Sequence, residues 1–478
     1  MKKIALYSLL ILGTVFISGC GDDFLNRVRP LNFTEEIAFS DAAHIEQTVV
    51  GLYSNSGLRH NYLLGGRILL VSENVGDDVI NDSNNGVELY NTYLMGVGLS
   101  TQENMGTWQY AYQAINKCNI FLDVIASNKE AAGSNYDKFV AEAKFIRALT
   151  YYFLHQTYTM PYLYTGSGGG PSALSVPLRL QAETEIFENK DLARATSQEV
   201  LDQILSDLSS ASALPVGNGK EETVARASQA AAAALKMRVY MIMGQWQNAI
   251  DAGKSITGYS LVSDITSLYK APYITSEAIF SAAFADNNRG SSQSHVAYYY
   301  NNGKSDKMEV VSGIFSIEGY KIANDPRIGT LTNINTAAAG KEYLLKYPDA
   351  TTYTDWIPVF RYAEILLNLA ECYANLGNDA EALNYLKQVR TRSVKAEDEV
   401  LNLDALKGDA LKQAIYNEAR LEFIGEGHRG FDIRRRAETI TKQGNTARPL
   451  VFPPSTGTAN YIWPIPYSEL AQNDAITN

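Results

Sequence analysis

The chain has 478 residues, with 41 Lys and Arg against 52 Asp and Glu, a formal charge of −11 and 46% hydrophobic residues. That apolar content is ample for a large core, and the acidic balance argues against nucleic acid as a partner, since such binding comes mainly from clustered Lys and Arg neutralising phosphates. Length alone suggests about three domains at roughly 150 residues each, a soft prior that a continuous helical array exceeds.

At the N-terminus, Lys2 and Lys3 precede an apolar run from Ile4 to Ile17 that ends in small residues, the pattern of a secretory signal. The run of 14 residues is too short to span a bilayer core, which needs about 20 apolar helical residues. It closes in Ile17-Ser18-Gly19-Cys20, which resembles the bacterial lipobox. Small residues there let the peptidase approach, and the Cys20 thiol accepts the diacylglycerol. Residues 1–19 are therefore expected to be removed, leaving Cys20 as the lipidated first residue and a mature charge of −13. Two or more acyl chains hold a protein stably where one does so only marginally, so the expected membrane attachment is by lipid alone.

Along the mature chain, helical periodicity predicts helices over about 40–56, 106–127, 135–158, 194–213, 226–256, 359–391 and 408–426. Two stretches align: YMIMGQWQNAI from Tyr240 and YANLGNDAEAL from Tyr373 both place Gly four residues after Tyr and Ala nine after it. That is the spacing of a tetratricopeptide repeat, in which a small residue lets helix pack closely on helix. In the second copy Leu366, Leu369, Ala370, Tyr373, Ala382, Leu386 and Val389 keep two helices facing each other across a turn at Gly377–Asp379. Irregular regions rich in Asn, Gly, Ser and Tyr lie between, at 57–105, 159–190 and 257–357. Loops of that length are functional or carry small elements of their own. Cys118 and Cys372 sit inside helical patterns and read as small buried residues, with a single disulfide between them left open.

Glu418, Glu422 and Glu426 recur every four residues and so share one helix face. With Arg420 and Arg429 near, the stripe reads as a structural network, since Arg forks pair well with carboxylates. Trp108, Tyr112, Ile115 and Asn119 at helical spacing read as core. Asp77 and Asp78 make a poor general acid and base, because adjacent residues in extended chain point to opposite faces. They suit hydrogen bonding to sugar hydroxyls better, with Asn81, Asp82, Asn84 and Asn85 adding donors and acceptors; a solvated polar turn is the competing reading. An EF-hand starting at Asp82 fails, because Gly86 and Val87 stand where a ligand and a glycine are needed. Thirty tyrosines are an unusual supply of rings. Those in irregular regions, Tyr90, Tyr93, Tyr298, Tyr299 and Tyr300, are candidates to stack on sugar faces, against the alternative of a hydrophobic plug under a loop. The five histidines have no HExxH spacing, and no G-x-S-x-G elbow occurs. No catalytic residue, metal or cofactor is expected.

Five segments in order carry a family resemblance: Gly21-Asp22-Asp23-Phe24-Leu25-Asn26, EAKFIRALTYYFL from Glu142, RYAEILLNLAECYANLG from Arg361, NEARLEFIGEGHRGFDIRR from Asn417, and WPIP at Trp463. Asp325-Pro326-Arg327 adds a short Asp-x-Arg signature, and Phe431 stands where many relatives carry Trp. Together they are similar to the SusD/RagB lipoproteins. The resemblance implies an all-α, tetratricopeptide-like scaffold with a variable loop and helix region, placed at the outer-membrane surface as a lid over a SusC-like TonB-dependent transporter. It implies a single domain over 20–478: an N-terminal helical part with ligand loops to about 256, a variable region over about 257–357, and a C-terminal helical part from about 358. The ligand it implies is a glycan or oligosaccharide, with peptide as the alternative. A surface glycosidase and a pure assembly scaffold are the remaining readings.

Overall fold

The computed structural model describes residues 34–81, 89–185, 191–300, 308–310, 332–335, 341–442 and 450–476, with Ile314, Ile317, Asp325 and Arg327. The lipidation candidate Cys20 and the ligand candidate Asn84 lie outside the described residues.

The architecture is helical. In chain order the main helices are α1 (Ala42–Leu52), α2 (Arg67–Val75), α3 (Gln102–Ser127), α4 (Tyr136–Tyr158), α5 (Ser197–Asp207), α6 (Gln229–Ile242), α7 (Trp246–Lys254), α8 (Tyr362–Asn375), α9 (Asp379–Ser393), α10 (Gly408–Phe423) and α11 (Arg429–Arg435). Helix starts follow from local chemistry. Asp41 accepts from the Ala43 and His44 amides at 2.9 and 3.0 Å, and Thr196 with Glu199 forms a reciprocal capping box.

The two aligned stretches fold alike. Gly244 and Gly377 end α6 and α8 at φ of 67° and 75°, a left-handed conformation that only glycine takes without strain. In each case the following amide, of Gln245 or Asn378, reaches back at 2.9 Å to the carbonyl of the aligned tyrosine, Tyr240 or Tyr373. The caps turn the chain so that α6 packs on α7 and α8 on α9, while α7 packs on α8 and joins the pairs. Ala249 and Ala382, nine residues after each tyrosine, are both fully buried. α3 and α4 form a longer pair, and one buried cluster runs from Phe39 to Ile476. Cys118 and Cys372 are buried and free, which closes the disulfide alternative.

Three elements depart from the periodicity. α2 lies inside the region read as irregular because it is buried on every side, Arg67 through Val75, so no polar face marks it. Similarly, β2 (Ala278–Ala282) pairs antiparallel with β6 (Ile357–Arg361), and both are buried throughout, so neither alternates. The other ladders are short: β1 (Val79–Asn81) with β3 (Met308–Val310), β4 (Thr332–Asn335) with β5 (Lys341–Leu344), and β7 (Ile440–Lys442) with β8 (Leu450–Phe452).

Glu418 and Glu422 of α10 lie at the centre of a buried ion network; the helix ends at Phe423, so Glu426, expected on the same face, joins from the turn beyond it. Arg361, at the end of β6, donates to Glu422 at 2.6 Å, to Glu277 at 2.7 Å and to Glu426 at 2.8 Å. Arg327 joins Glu418 and Glu422 at 2.7 and 2.9 Å and folds back on Asp325 at 2.6 Å. Lys346 meets Glu426 at 2.6 Å, and Arg390 meets Glu418 at 3.0 Å. Burial opposes ionisation of these carboxylates, yet the guanidinium groups outweigh it, holding Glu422 well below the usual range and bringing Glu426 down to about 2. Removing one partner from such a cluster leaves a buried charge uncompensated, which costs about 3–5 kcal/mol, whereas an exposed pair contributes about 0–1 kcal/mol. Arg361→Met is therefore expected to destabilise the protein by about 3–5 kcal/mol in urea denaturation. Lys387→Ala, which removes the exposed pair with Asp404, should fall within about 0.5 kcal/mol of the parent.

Candidate functional site

The residues nominated from sequence fall into two groups. Asp77 is bound by Arg429 at 2.5 and 3.0 Å, and Asp78 is buried against Arg420 at 3.0 Å. Burial works against the charge on both. Arg429 overcomes it and holds Asp77 below the usual carboxylate range, whereas Asp78 stays raised despite both arginines. The two acids thus pin the end of α2 to α10 and α11, and their lone pairs are engaged within the protein. That corrects the expectation of carboxylates free for sugar hydroxyls.

The tyrosines are corrected in part. Tyr93 is buried, with the Lys442 ammonium 4.7 Å from its ring centre. Residues 296–300 form a helical turn that directs Tyr299 and Tyr300 into the core. The Tyr299 hydroxyl donates to the Gln293 carbonyl at 2.7 Å, and the Tyr300 ring lies 6.1 Å from Tyr347 at 22°. Neither can offer a ring face to a ligand in this arrangement. Tyr298 and Tyr90 are half-buried.

A different set of rings comes together at the surface. The chain from Gly57 to Gly66 winds through successive turns and brings His60 and Tyr62 against Tyr110 on α3. The His60 and Tyr110 ring centres are 3.4 Å apart at 17°, Tyr62 and Tyr110 are 5.6 Å apart at 12°, and all three rings are half-buried. The Arg67 guanidinium lies 4.5 Å from the Tyr62 ring centre. Gly106, one turn before Tyr110, makes the approach possible: a side-chain carbon there would stand 2.4 Å from the Tyr62 ring. The His60 Nδ1 accepts from the Tyr62 amide at 3.3 Å. Burial, with Lys117 and Arg67 adding to it, pushes the His60 pKa down to about 4, so the stacked imidazole is neutral at physiological pH. Parallel, part-exposed rings can stack on the apolar face of a sugar, while the Arg67 guanidinium, itself buried, supports the Tyr62 ring from within. Sequence reasoning missed this set because its members lie 50 residues apart; the one local signal was a glycine inside a strong helical pattern.

On α3, one turn before Gly106, Glu103 is 1% exposed and neither carboxylate oxygen is paired with another residue. Burial pushes its pKa up to about 7, against the pull of its own amide and Arg67.

Capped helix pairs, a joined core and a surface ring cluster define a helical-repeat binding scaffold. A family model described as the SusD family matches residues 329–478, and a second, described as starch-binding associating with outer membrane, matches residues 23–241. A SusD superfamily protein of Bacteroides fragilis of known structure is 48% identical, with a TM-score of 0.85 over 92% of this chain and 100% of that one. A SusD-like protein of Formosa agariphila is 25% identical over 91% of this chain and 90% of its own length. A laminarin binding SusD-like protein shares the fold at 20% identity, with a TM-score of 0.70 over 92% and 99% of the two chains. The chain belongs to the SusD family.

Glu103 supplies a pH test. Its folded pKa of about 7 lies above the ordinary value of 4.5, so the folded state holds the proton more tightly. The associated stability is present below about pH 4.5 and is lost as pH rises through about 7. Relative to the parent, Glu103→Gln should gain on the order of 3 kcal/mol between pH 4.5 and pH 8, measured by urea denaturation of both proteins at each pH.

Proposed function

We propose that this protein is a lipid-anchored binding protein of the outer-membrane surface, which captures an oligosaccharide on the His60–Tyr62–Tyr110 cluster and passes it to a SusC-like TonB-dependent transporter without chemistry of its own. The observation that carries the ligand class is the near-parallel packing of three part-exposed rings beside the Arg67 guanidinium. Flat apolar ring faces match a pyranose better than a peptide backbone, whose recognition rests on an open strand edge or a helical groove. Family membership supports the glycan reading, as does the laminarin named for one neighbour of the same fold. The non-catalytic reading draws support from Asp77 and Asp78, the obvious acid pair in sequence, each bound to an arginine. The lipid anchor rests on the lipobox-like run ending in Cys20, and the transporter on the resemblance of the whole chain to SusD/RagB lipoproteins.

Isothermal titration of the purified protein with laminarin, soluble starch, a panel of other glycans and a tryptic peptide mixture tests the reading. Binding of one glycan class is expected, weakened about 10- to 100-fold in Tyr62→Ala/Tyr110→Ala and unchanged in Tyr299→Phe. Binding confined to peptides, or release of reducing ends from a glycan, would overturn it. Labelled fatty acid should enter the expressed protein and be lost in Cys20→Ser.

A further inference from the structure

Most large buried cations in this chain meet carboxylates. Arg147 takes Asp207 at 2.8 and 2.6 Å, Arg435 takes Glu371 at 2.6 Å through both terminal nitrogens, and Arg361 sits among three glutamates. Arg434 on α11 does not. It is 3% exposed, its Nη1 donates to the Gln156 carbonyl of α4 at 3.2 Å, and its Nε and Nη2 have no acceptor. Among the described residues no carboxylate pairs with it.

A second buried cation lies within electrostatic reach. Lys442 on β7 is 2% exposed and donates only to backbone carbonyls, those of Asn74 and of Tyr93, the latter at 2.8 Å. Burial depresses its pKa far below the usual value, Arg434 pushes the same way, and Asp77 opposes. Asp77, the acid whose field reaches Lys442, is itself committed to Arg429. Arg434 is thus an unmatched guanidinium in the core, and Lys442 holds its proton there only against burial. An uncompensated charge in such a place is strongly unfavourable, and buried polar atoms without protein partners call for an ion or a water.

We propose that Arg434, with Lys442 strengthening its field, binds a monovalent inorganic anion, a halide, in the core beneath the Asp77–Asp78 corner. Size selects the class. Both side chains are almost wholly enclosed, so an organic acid has no route to them, whereas a monatomic ion enters through local opening. A water would supply an acceptor oxygen but no charge. With a halide in place, Lys442 keeps its proton and its hold on the Asn74 and Tyr93 carbonyls, which ties the β7–β8 ladder to the end of α2.

Thermal denaturation of the purified protein in sodium chloride, sodium bromide and sodium gluconate at matched ionic strength tests the site. Chloride and bromide are expected to raise Tm saturably over gluconate, by about 1–3 °C per tenfold halide above its Kd, and Arg434→Gln and Lys442→Met should abolish or weaken that rise. Crystals soaked in bromide should show an anomalous peak within about 3.5 Å of the Arg434 guanidinium, a readout that needs no variant to fold. A Tm equal in all three salts with no bromide peak means water alone and overturns the proposal. So does a halide effect that survives unchanged in Arg434→Gln.

Discussion

The carboxylate of Glu422 is the point on which the C-terminal half depends. It accepts from Arg361, Arg327 and Arg392, which come from β6, from the variable region and from the end of α9. Each of these cations was taken out of water at a cost of several kcal/mol, and mutual attraction offsets that cost only where geometry is close and the remaining donors are satisfied. Arginine meets that demand because its planar fork serves two or three acceptors at once. Arg361 reaches Glu277, Glu422 and Glu426, and no lysine has that span. The network therefore works less as a source of net stability than as a device for register. β6, α9, α10 and the Asp325–Arg327 pair have one arrangement in which every charge is met.

That register sets the surface. β6 pairs with β2, and α2 lies beneath α11, with the Phe431 amide bonded to the Ser72 hydroxyl at 3.1 Å and the Gly427 amide to Glu73 at 2.7 Å. Arg67 opens α2, donates to the Gln293 carbonyl at 3.2 Å and supports the Tyr62 ring. A chain of packed contacts thus runs from the buried glutamates to the ring cluster through one wholly enclosed helix.

The scaffold was legible in the sequence where a helix has a wet side and a dry side. The spacing around Tyr240 and Tyr373 anticipated both helix pairs and the glycines that close their first helices, and the recurrence of Glu418, Glu422 and Glu426 anticipated a charged network, although Glu426 enters it from the turn after α10 and not from the helix face. Where an element is buried all round, as in α2 and β2, periodicity vanishes and the reading failed. The candidate site was far less legible. Asp77 and Asp78 looked free because their arginines lie more than 340 residues away in sequence. The Tyr298–Tyr300 run left ligand-facing rings and a plug under the loop both open, because no local cue shows that a five-residue turn rotates two of the three rings inward, as a plug requires.

The ring cluster also shows why a site of this kind is built on a glycine. Three aromatic side chains from two segments lose conformational freedom when they stack, and a ligand that had to order them would bind more weakly by that amount. Here the rings are ordered by the protein itself. Tyr110 is fixed by α3, His60 is held by the Tyr62 amide at its Nδ1, and Tyr62 lies flat over Gly106 with a guanidinium on its ring. An alanine at 106 would meet the Tyr62 ring at 2.4 Å, so the ring would have to swing away and the stack would open without any loss of aromatic residues. The absence of one methyl group on α3 is what lets three distant rings form a single surface.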